Sequence, residues 1–249
     1  AFLCASELDC KRLRDLSVDD SRLFLTGNLK FDMPPVKPPS LSLKGGSGKS
    51  VIVIGSTHPD EELMLIKGLR ELIRLKKVFV VLAPRHPQRF EEVADLLMAE
   101  GLNFIKRTEV IHGEVLDEGL YEVMLLDTIG ELASFYCLAD IAIVGGSFVP
   151  RGGHNLLEPA YWSKPILCGR YMDNFPLAEE FFREGAAIKV EHQNIQEVVL
   201  ELINDGVRRK AMAEKARQIY EMNSGALKRT VAIIEKIYPS TRGIGGPCN

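Results

Sequence analysis

Residues Lys44 to Gly55 read KGGSGKSVIVIG. Glycines, then Gly48-Lys49-Ser50, then an apolar run give this stretch the look of a phosphate-binding loop, but spacing and order exclude one. A phosphate-binding loop carries a glycine five positions before the Gly of its Gly-Lys-Ser/Thr triplet, and that place holds Leu43. In such a loop the strand comes first and a helix follows, so that the helix N-terminus meets the phosphates. Here the Gly/Ser stretch precedes the apolar residues Val51-Ile52-Val53-Ile54. The stretch therefore reads as a linker after the proline-rich segment Pro34 to Pro39, followed by a buried strand.

From that strand the pattern runs outward as alternating strands and helices. Thr57-His58-Pro59-Asp60-Glu61-Glu62 reads as a helix start. Thr57 or His58 is expected to cap, Pro59 to take the first helical position, and the acids to face the positive end of the dipole. Leu63, Ile66, Leu69 and Leu72 or Ile73 are expected on its buried face. Val78–Leu82, Val123–Leu126, Ile141–Val144, Pro165–Cys168 and Ala187–Val190 read as further strands. Helices are expected from Pro87 to about Glu100, from Ile129 to Leu138, from Asn155, where Tyr161 and Trp162 pack it, and from Asn194 to about Tyr238. Before the linker, Ala1–Cys4 reads as a short buried strand followed by a helix near Glu7 to Leu16. Strands apolar on both faces with helices between them imply an α/β fold, a parallel sheet covered on both sides.

The 249 residues are 46% hydrophobic and 26% charged, with a net charge of −3. That is enough for one large domain or two small ones, with no global basic field to attract nucleic acid. No apolar run approaches the ~20 residues of a membrane-spanning helix. The five cysteines, Cys4, Cys10, Cys137, Cys168 and Cys248, include no C-x-x-C pair, so neither structural zinc nor a disulfide framework is expected. Between Asp205 and Asn249 nine Lys/Arg face four Asp/Glu, which a solvated helix face explains, contact with an anionic membrane surface being the sharper alternative.

Ligands of open parallel sheets bind beyond the carboxyl ends of the strands. Glycines and polar residues collect at five such ends: Gly55-Ser56-Thr57-His58, Pro84-Arg85-His86, Asp127-Thr128-Ile129-Gly130-Glu131, Gly145-Gly146-Ser147 through Glu158, and Gly169-Arg170. Gly152-Gly153-His154-Asn155-Leu156-Leu157-Glu158-Pro159 reads as a turn and a capping box, Asn155 capping and Glu158 reaching back. The same residues would offer N–H groups to a phosphate and Glu158 to sugar hydroxyls. Arg85, flanked by Pro84 and Pro87, is placed to bind a phosphate bidentately. His58, His86 and His154 lack metal-ligand spacing and read as polar lining, so no metal is expected. Ser56 and Ser147 lie outside any nucleophile elbow.

Five motifs occur in order: Gly27-Asn28-Leu29-Lys30-Phe31-Asp32, Gly55-Ser56-Thr57-His58-Pro59-x-Glu61-Glu62, Pro84-Arg85-His86-Pro87, Asp127-Thr128-x-Gly130-Glu131-Leu132, and Gly145-Gly146-Ser147 through Gly152-Gly153-His154-Asn155-x-Leu157-Glu158-Pro159. Together, from Ala1 to about Tyr238, they resemble the 3-deoxy-D-manno-octulosonic acid (Kdo) transferases of lipopolysaccharide synthesis. The resemblance implies the GT-B fold, two Rossmann-like domains facing a cleft. It implies transfer of Kdo from CMP-Kdo to a lipid A precursor at the cytoplasmic face of the inner membrane, without metal or cofactor. Matched to the family's CMP contacts are Pro84, Arg85, Ile129, Gly130, Glu131, Asn155, Leu156, Leu157 and Glu158, with Arg85 stabilising the leaving phosphate.

On this reading residues 1–45 are the tail of an N-terminal acceptor domain and a linker, 46–240 a donor-binding domain with C-terminal helices, and 241–249 a tail. The family's general base, acceptor pocket and membrane contact belong to a preceding region that nothing here matches; the chain alone would be soluble. Two alternatives stand beside it: another GT-B protein acting on UDP-sugars, transferase or epimerase, and a non-catalytic nucleotide-binding half.

Overall fold

The computed structural model describes residues 1–32, 36–45 and 47–238. The expected tail at 241–249, Cys248, Pro34 and Pro35 of the proline-rich segment and Gly46 of the linker lie outside the described residues. The chain forms two compact units, one from the described residues of Ala1–Pro34 and Tyr220–Asn249, the other from those of Pro35–Ile219.

The first unit opens with β1 (Phe2–Cys4), α1 (Glu7–Asp15) and β2 (Leu23–Leu25), the two strands parallel. Ser6 caps α1 by accepting the Asp9 N–H at 3.2 Å, and acids at its start and arginines at its end suit the helix dipole. The expected buried strand at residues 1–4 is only partly buried: Cys4 is enclosed but Leu3 is 39% exposed, because the two-stranded sheet of which β1 is half covers little surface.

The second unit carries β3 (Ser42–Leu43), β4 (Ser50–Thr57), α2 (Glu61–Arg74), β5 (Val78–Pro84), α3 (Phe90–Ala99), β6 (Phe104–Lys106), β7 (Val115–Leu116), β8 (Val123–Leu125), α4 (Leu132–Phe135), β9 (Ile141–Val144), α5 (Leu157–Tyr161), β10 (Ile166–Cys168), α6 (Ala178–Arg183), β11 (Ala187–Lys189) and α7 (Ile195–Asn204). Seven of these strands form one parallel sheet in the order β11-β10-β9-β4-β5-β8-β6, and β3 pairs with β7. The uninterrupted apolar runs follow from burial on both faces. Ile52, Ile54, Val80 and Leu82 face a core with Leu65, Ile66, Leu69 and Val199. Val51, Val53, Phe79 and Val81 face the opposite core with Phe135, Tyr136 and Leu116. Each such side chain contributes roughly 1.5–3 kcal/mol of hydrophobic stabilisation.

The linker Lys44–Lys49 lies ahead of β4, and Lys49 Nζ donates to the carbonyls of Glu118 and Tyr121 at 2.9 and 2.7 Å, so this lysine ties down a neighbouring loop. Several helix starts differ from the sequence expectation. Thr57 closes β4, Asp60 holds a left-handed conformation with φ 76°, and α2 begins at Glu61, beyond Pro59. Ile66, Leu69, Leu72 and Ile73 are buried as expected, and Leu65, one turn before Leu69, joins them in the core where Leu63 is only half-buried. The helix expected over 129–138 begins only at Leu132, because Gly130 has φ 85°, and it tightens into a 3-10 turn from Tyr136.

The first unit closes with the C-terminal helices. α8 (Gly206–Asn223) contains the boundary at Ile219, and α9 (Ala226–Ile237) packs near residues 29–31. The Asp32 carboxylate accepts the N–H groups of Gly225 and Leu227, an anion at the positive end of α9. Arg229 Nε donates to Thr26 O at 2.7 Å, and a Cβ on Gly27 would sit 2.8 Å from Arg229 Nη2. Gly27 and Asp32 thus hold a helix. Among the described residues no helix is long and apolar enough to cross a membrane.

Candidate functional site

After β4 the chain moves outward through β5 to β6 and β8, then returns to the other side of β4 with β9, β10 and β11. The strand order reverses between β4 and β9, and a crevice at that point is the expected ligand position in such sheets. Its walls are His58 after β4 and the loop Gly145–Phe148 after β9. The Gly145 N–H donates to Gly55 O at 2.8 Å, and a Cβ on Gly145 would come within 2.7 Å of Ser56 O, so only glycine permits this close approach.

Glu61 builds this wall. It is fully buried, and its carboxyl oxygens accept three backbone N–H groups: His58 at 2.9 Å, Gly146 at 2.7 Å and Phe148 at 2.8 Å. Burial pushes its pKa above the ordinary carboxylate value, while the three donors oppose that rise. Glu62, also fully buried, accepts the Thr57 hydroxyl at 2.8 Å and the Arg89 guanidinium at 2.5 Å. The two acids expected at the positive end of the helix dipole do lie in the first turn of α2, and they also fasten it to β4, to the turn after β5 and to the loop after β9. Ser147 Oγ accepts the Gly169 N–H at 2.8 Å and ties in the end of β10.

Three imidazoles stand at the crevice. The Nε2 atoms of His58 and His154 are 2.9 Å apart with the rings parallel, and His86 meets His58 edge-on at 5.3 Å between centroids. A Cβ on Gly146 would lie 2.8 Å from the His154 ring, so the glycine makes room for the pair. Burial holds His154 down to about 4 and lowers His58 as well. Beside them, Ser56, Pro84, Arg85, Pro87, Leu126, Thr128, Ile129, Gly130 and Leu132 line a concavity of about 130 Å³ beyond the ends of β4, β5 and β8.

Of the residues singled out by sequence, Pro84, Arg85, Ile129 and Gly130 meet in that concavity. The Arg85 side chain is exposed and has no ion-pair or hydrogen-bond partner among the described residues; its charge reaches His154 and Glu158. Glu131 is held by Arg107 at 3.1 Å and by the Thr128 hydroxyl at 2.6 Å, which fixes the loop over the concavity. The N-cap position of α5 falls on Leu156 rather than Asn155, whose Oδ1 nevertheless accepts the Leu157 N–H at 2.9 Å. Glu158 does not reach back, so the capping box is not formed. Its carboxyl has no hydrogen-bond partner among the described residues, and burial raises its pKa against the pull of Arg85. Leu156 and Leu157 are core residues and can offer only backbone. Sequence reasoning missed Glu61 as a loop-builder and Arg107 as the partner of Glu131. The adjacent acids after a strand were visible, but partners 85 and 87 positions away have no local signature.

No family profile matches the chain. A 3-deoxy-D-manno-octulosonic acid transferase of Bordetella pertussis is 35% identical over 223 residues, 85% of this chain and 51% of the relative. The transferase of the same description from Haemophilus influenzae is 34% identical over 241 residues, 90% of this chain and 54% of its own. The crystal structure of the C-terminal CMP-Kdo binding domain of WaaA from Acinetobacter baumannii superposes with a TM-score of 0.64 at 29% identity, over 69% of this chain and 89% of that domain. Anabaena HepE, solved with UDP and glucose, superposes over 94% of this chain with a TM-score of 0.56 at 13% identity, a likeness of fold. The architecture is that of GT-B glycosyltransferases. The chain spans about half the length of the curated relatives it matches, and over that half it is a homologue of the Kdo transferases.

Proposed function

We propose that this chain carries the donor-binding part of a Kdo transferase, holding the CMP moiety of CMP-Kdo over the concavity beyond β4, β5 and β8. The observation that carries the reading is the meeting of Pro84, Arg85, Ile129 and Gly130 in one hollow, with an unpartnered guanidinium at its edge. The likeness to a CMP-Kdo binding domain supports it. Arg85 takes the phosphate through charge-assisted hydrogen bonds. The backbone around Gly130 and Glu131 approaches the nucleotide, and Glu158 accepts hydrogen bonds from the ribose. As the glycosidic bond to phosphate breaks, the negative charge that grows on the departing CMP is stabilised by Arg85.

In the whole protein the Kdo unit passes to a lipid A precursor at the cytoplasmic face of the inner membrane. The hydroxyl that attacks needs a base, which we place in a part of the protein that these residues do not match. Calorimetric titration with CMP and with UMP tests the donor assignment. CMP is expected to bind at least tenfold more tightly. Equal affinity, or a preference for UMP, would move the protein to the UDP-sugar enzymes that share its fold.

A further inference from the structure

We propose that the His58–His154 pair takes up one proton when the anionic sugar nucleotide binds, so that the donor meets an imidazolium it has itself called up. The proposal rests on the donor-site reading above and adds a charge change that the residues in the hollow do not supply.

The geometry limits what the pair can hold. At 2.9 Å between the two Nε2 atoms, one nitrogen must carry a hydrogen and the other must accept it. The neutral pair then has one further hydrogen, on Nδ1 of the accepting ring, and a free lone pair on Nδ1 of the donating ring. One added proton goes to that lone pair and strengthens the bridge by making its donor cationic. A second would set N–H against N–H across 2.9 Å, so uptake stops at one. The pair titrates as a unit, and neither ring owns the proton.

The surroundings set the direction. Arg85 and His86 after β5 and Arg151 in the β9–α5 loop all bear on the pair and oppose its protonation. On the α2 side two carboxylates face it, but both are committed: Glu62 to Arg89, and Glu61 to three backbone N–H groups including that of His58. Arg85 acts on Glu158 of α5 as well as on the pair. Burial and the nearby cations therefore hold the pair neutral, against a pull from the Glu62 carboxylate that Arg89 already engages. A ligand bringing a phosphate and a carboxylate to Arg85 cancels that opposition and adds an attraction, and the proton affinity of the pair rises.

Calorimetry near pH 6, in buffers of different ionisation enthalpy, reads this directly. The probe is a hydrolysis-resistant CMP-Kdo analogue, whose phosphodiester has no proton titrating near neutrality. For the 249-residue chain the buffer dependence is expected to show uptake of between about a third of a proton and one proton per ligand. His154→Asn should bind several-fold more weakly with the uptake lost. Histidine 15N shifts in the unsubstituted chain, with and without ligand at one pH, report the same event without a variant and should move toward imidazolium at His58 or His154. Binding with buffer-independent heat overturns the proposal and leaves the donor site standing. Uptake that persists in His154→Asn overturns it by assigning the proton elsewhere, with Glu158 the next residue to test. No binding at all removes the donor-site reading and the proposal with it.

Discussion

Arg85 and Arg151 are both exposed arginines in loops of the same sheet edge, yet their surroundings differ. Arg85 follows β5 directly, its backbone N–H bound to Thr57 O at 2.9 Å and its guanidinium at the rim of the hollow. Losing a charged partner of phosphate costs on the order of 1.5–3 kcal/mol, so Arg85→Ala should weaken CMP binding by roughly ten- to a hundredfold. Arg151→Ala should change it far less; equal and negligible effects in calorimetry would remove Arg85 from the site. Glu158→Gln separates binding from stability. A carboxyl whose pKa is raised by folding stabilises the fold while protonated, and that stability is lost as pH rises from about 4.5 through the raised value. At neutral pH the charged Glu158 is thus a burden, and Gln should keep or raise the melting temperature while weakening CMP binding. The gain should shrink as the pH is lowered toward 4. A melting temperature that falls by many degrees with affinity intact would make Glu158 a structural residue. His154 has the opposite sign: its lowered pKa gives stability that is complete above pH ~6.5 and lost as pH falls toward about 4. His154→Asn should flatten that part of a thermal-melt pH profile.

Between elements, the buried Glu62–Arg89 pair joins α2 to the turn after β5, with Thr57 of β4 as a third member. Breaking one side of such a buried pair costs up to roughly 3–5 kcal/mol, and Arg89 would keep only the exposed Glu92, at 2.9 Å, as partner. Urea denaturation should show Glu62→Ala near that loss, and Glu62→Ala with Arg89→Met should recover much of it. A double variant no more stable than the single one would argue that the pair is not a closed unit. The elements also show what the amino-acid pattern discloses. β4, β5, β8, β9 and β10 were legible as apolar runs because burial on both faces leaves no polar alternation to misread, and β11 was legible by its apolar start although Lys189 is exposed. β3, β6 and β7 were not, since the two residues of β3 and of β7 are too few to form a pattern and Phe104-Ile105-Lys106 ends on a charge. The start of α2 was misplaced because the chain turns through a left-handed Asp60, a conformation that no side-chain pattern announces. Arg85 and Gly130 could be found as candidates from their place after strands, whereas the Glu61 bonds to Gly146 and Phe148 exist only once β9 lies beside β4.

For the molecule, the aligned residues cover about half the length of the relatives, and the other half lies outside the alignment. The 249 residues alone are expected to bind CMP-Kdo without appreciable transfer. Supplying the counterpart of the unaligned half should raise turnover by at least the ~10²–10⁴-fold worth of a general base. Mass spectrometry of lipid-linked Kdo is the measurement. Robust transfer by these residues alone would require a base among them, and Glu131→Gln would then be the first variant to make, although Arg107 and Thr128 already engage that carboxylate.

The strand order has a consequence for synthesis. β4 lies in the middle of the sheet, but its neighbour β9 begins 84 residues after β4 ends, at Ile141 rather than Thr57. A ribosome delivers the chain from the N-terminus, so β4 can pair with β5 and β8 long before β9 emerges. Throughout that interval the Val51–Ile54 backbone edge is bare, flanked by β-branched side chains of the kind that recruit foreign strands. Nascent chains arrested before Ile141 should therefore be stickier and more dependent on chaperones than the full 249 residues.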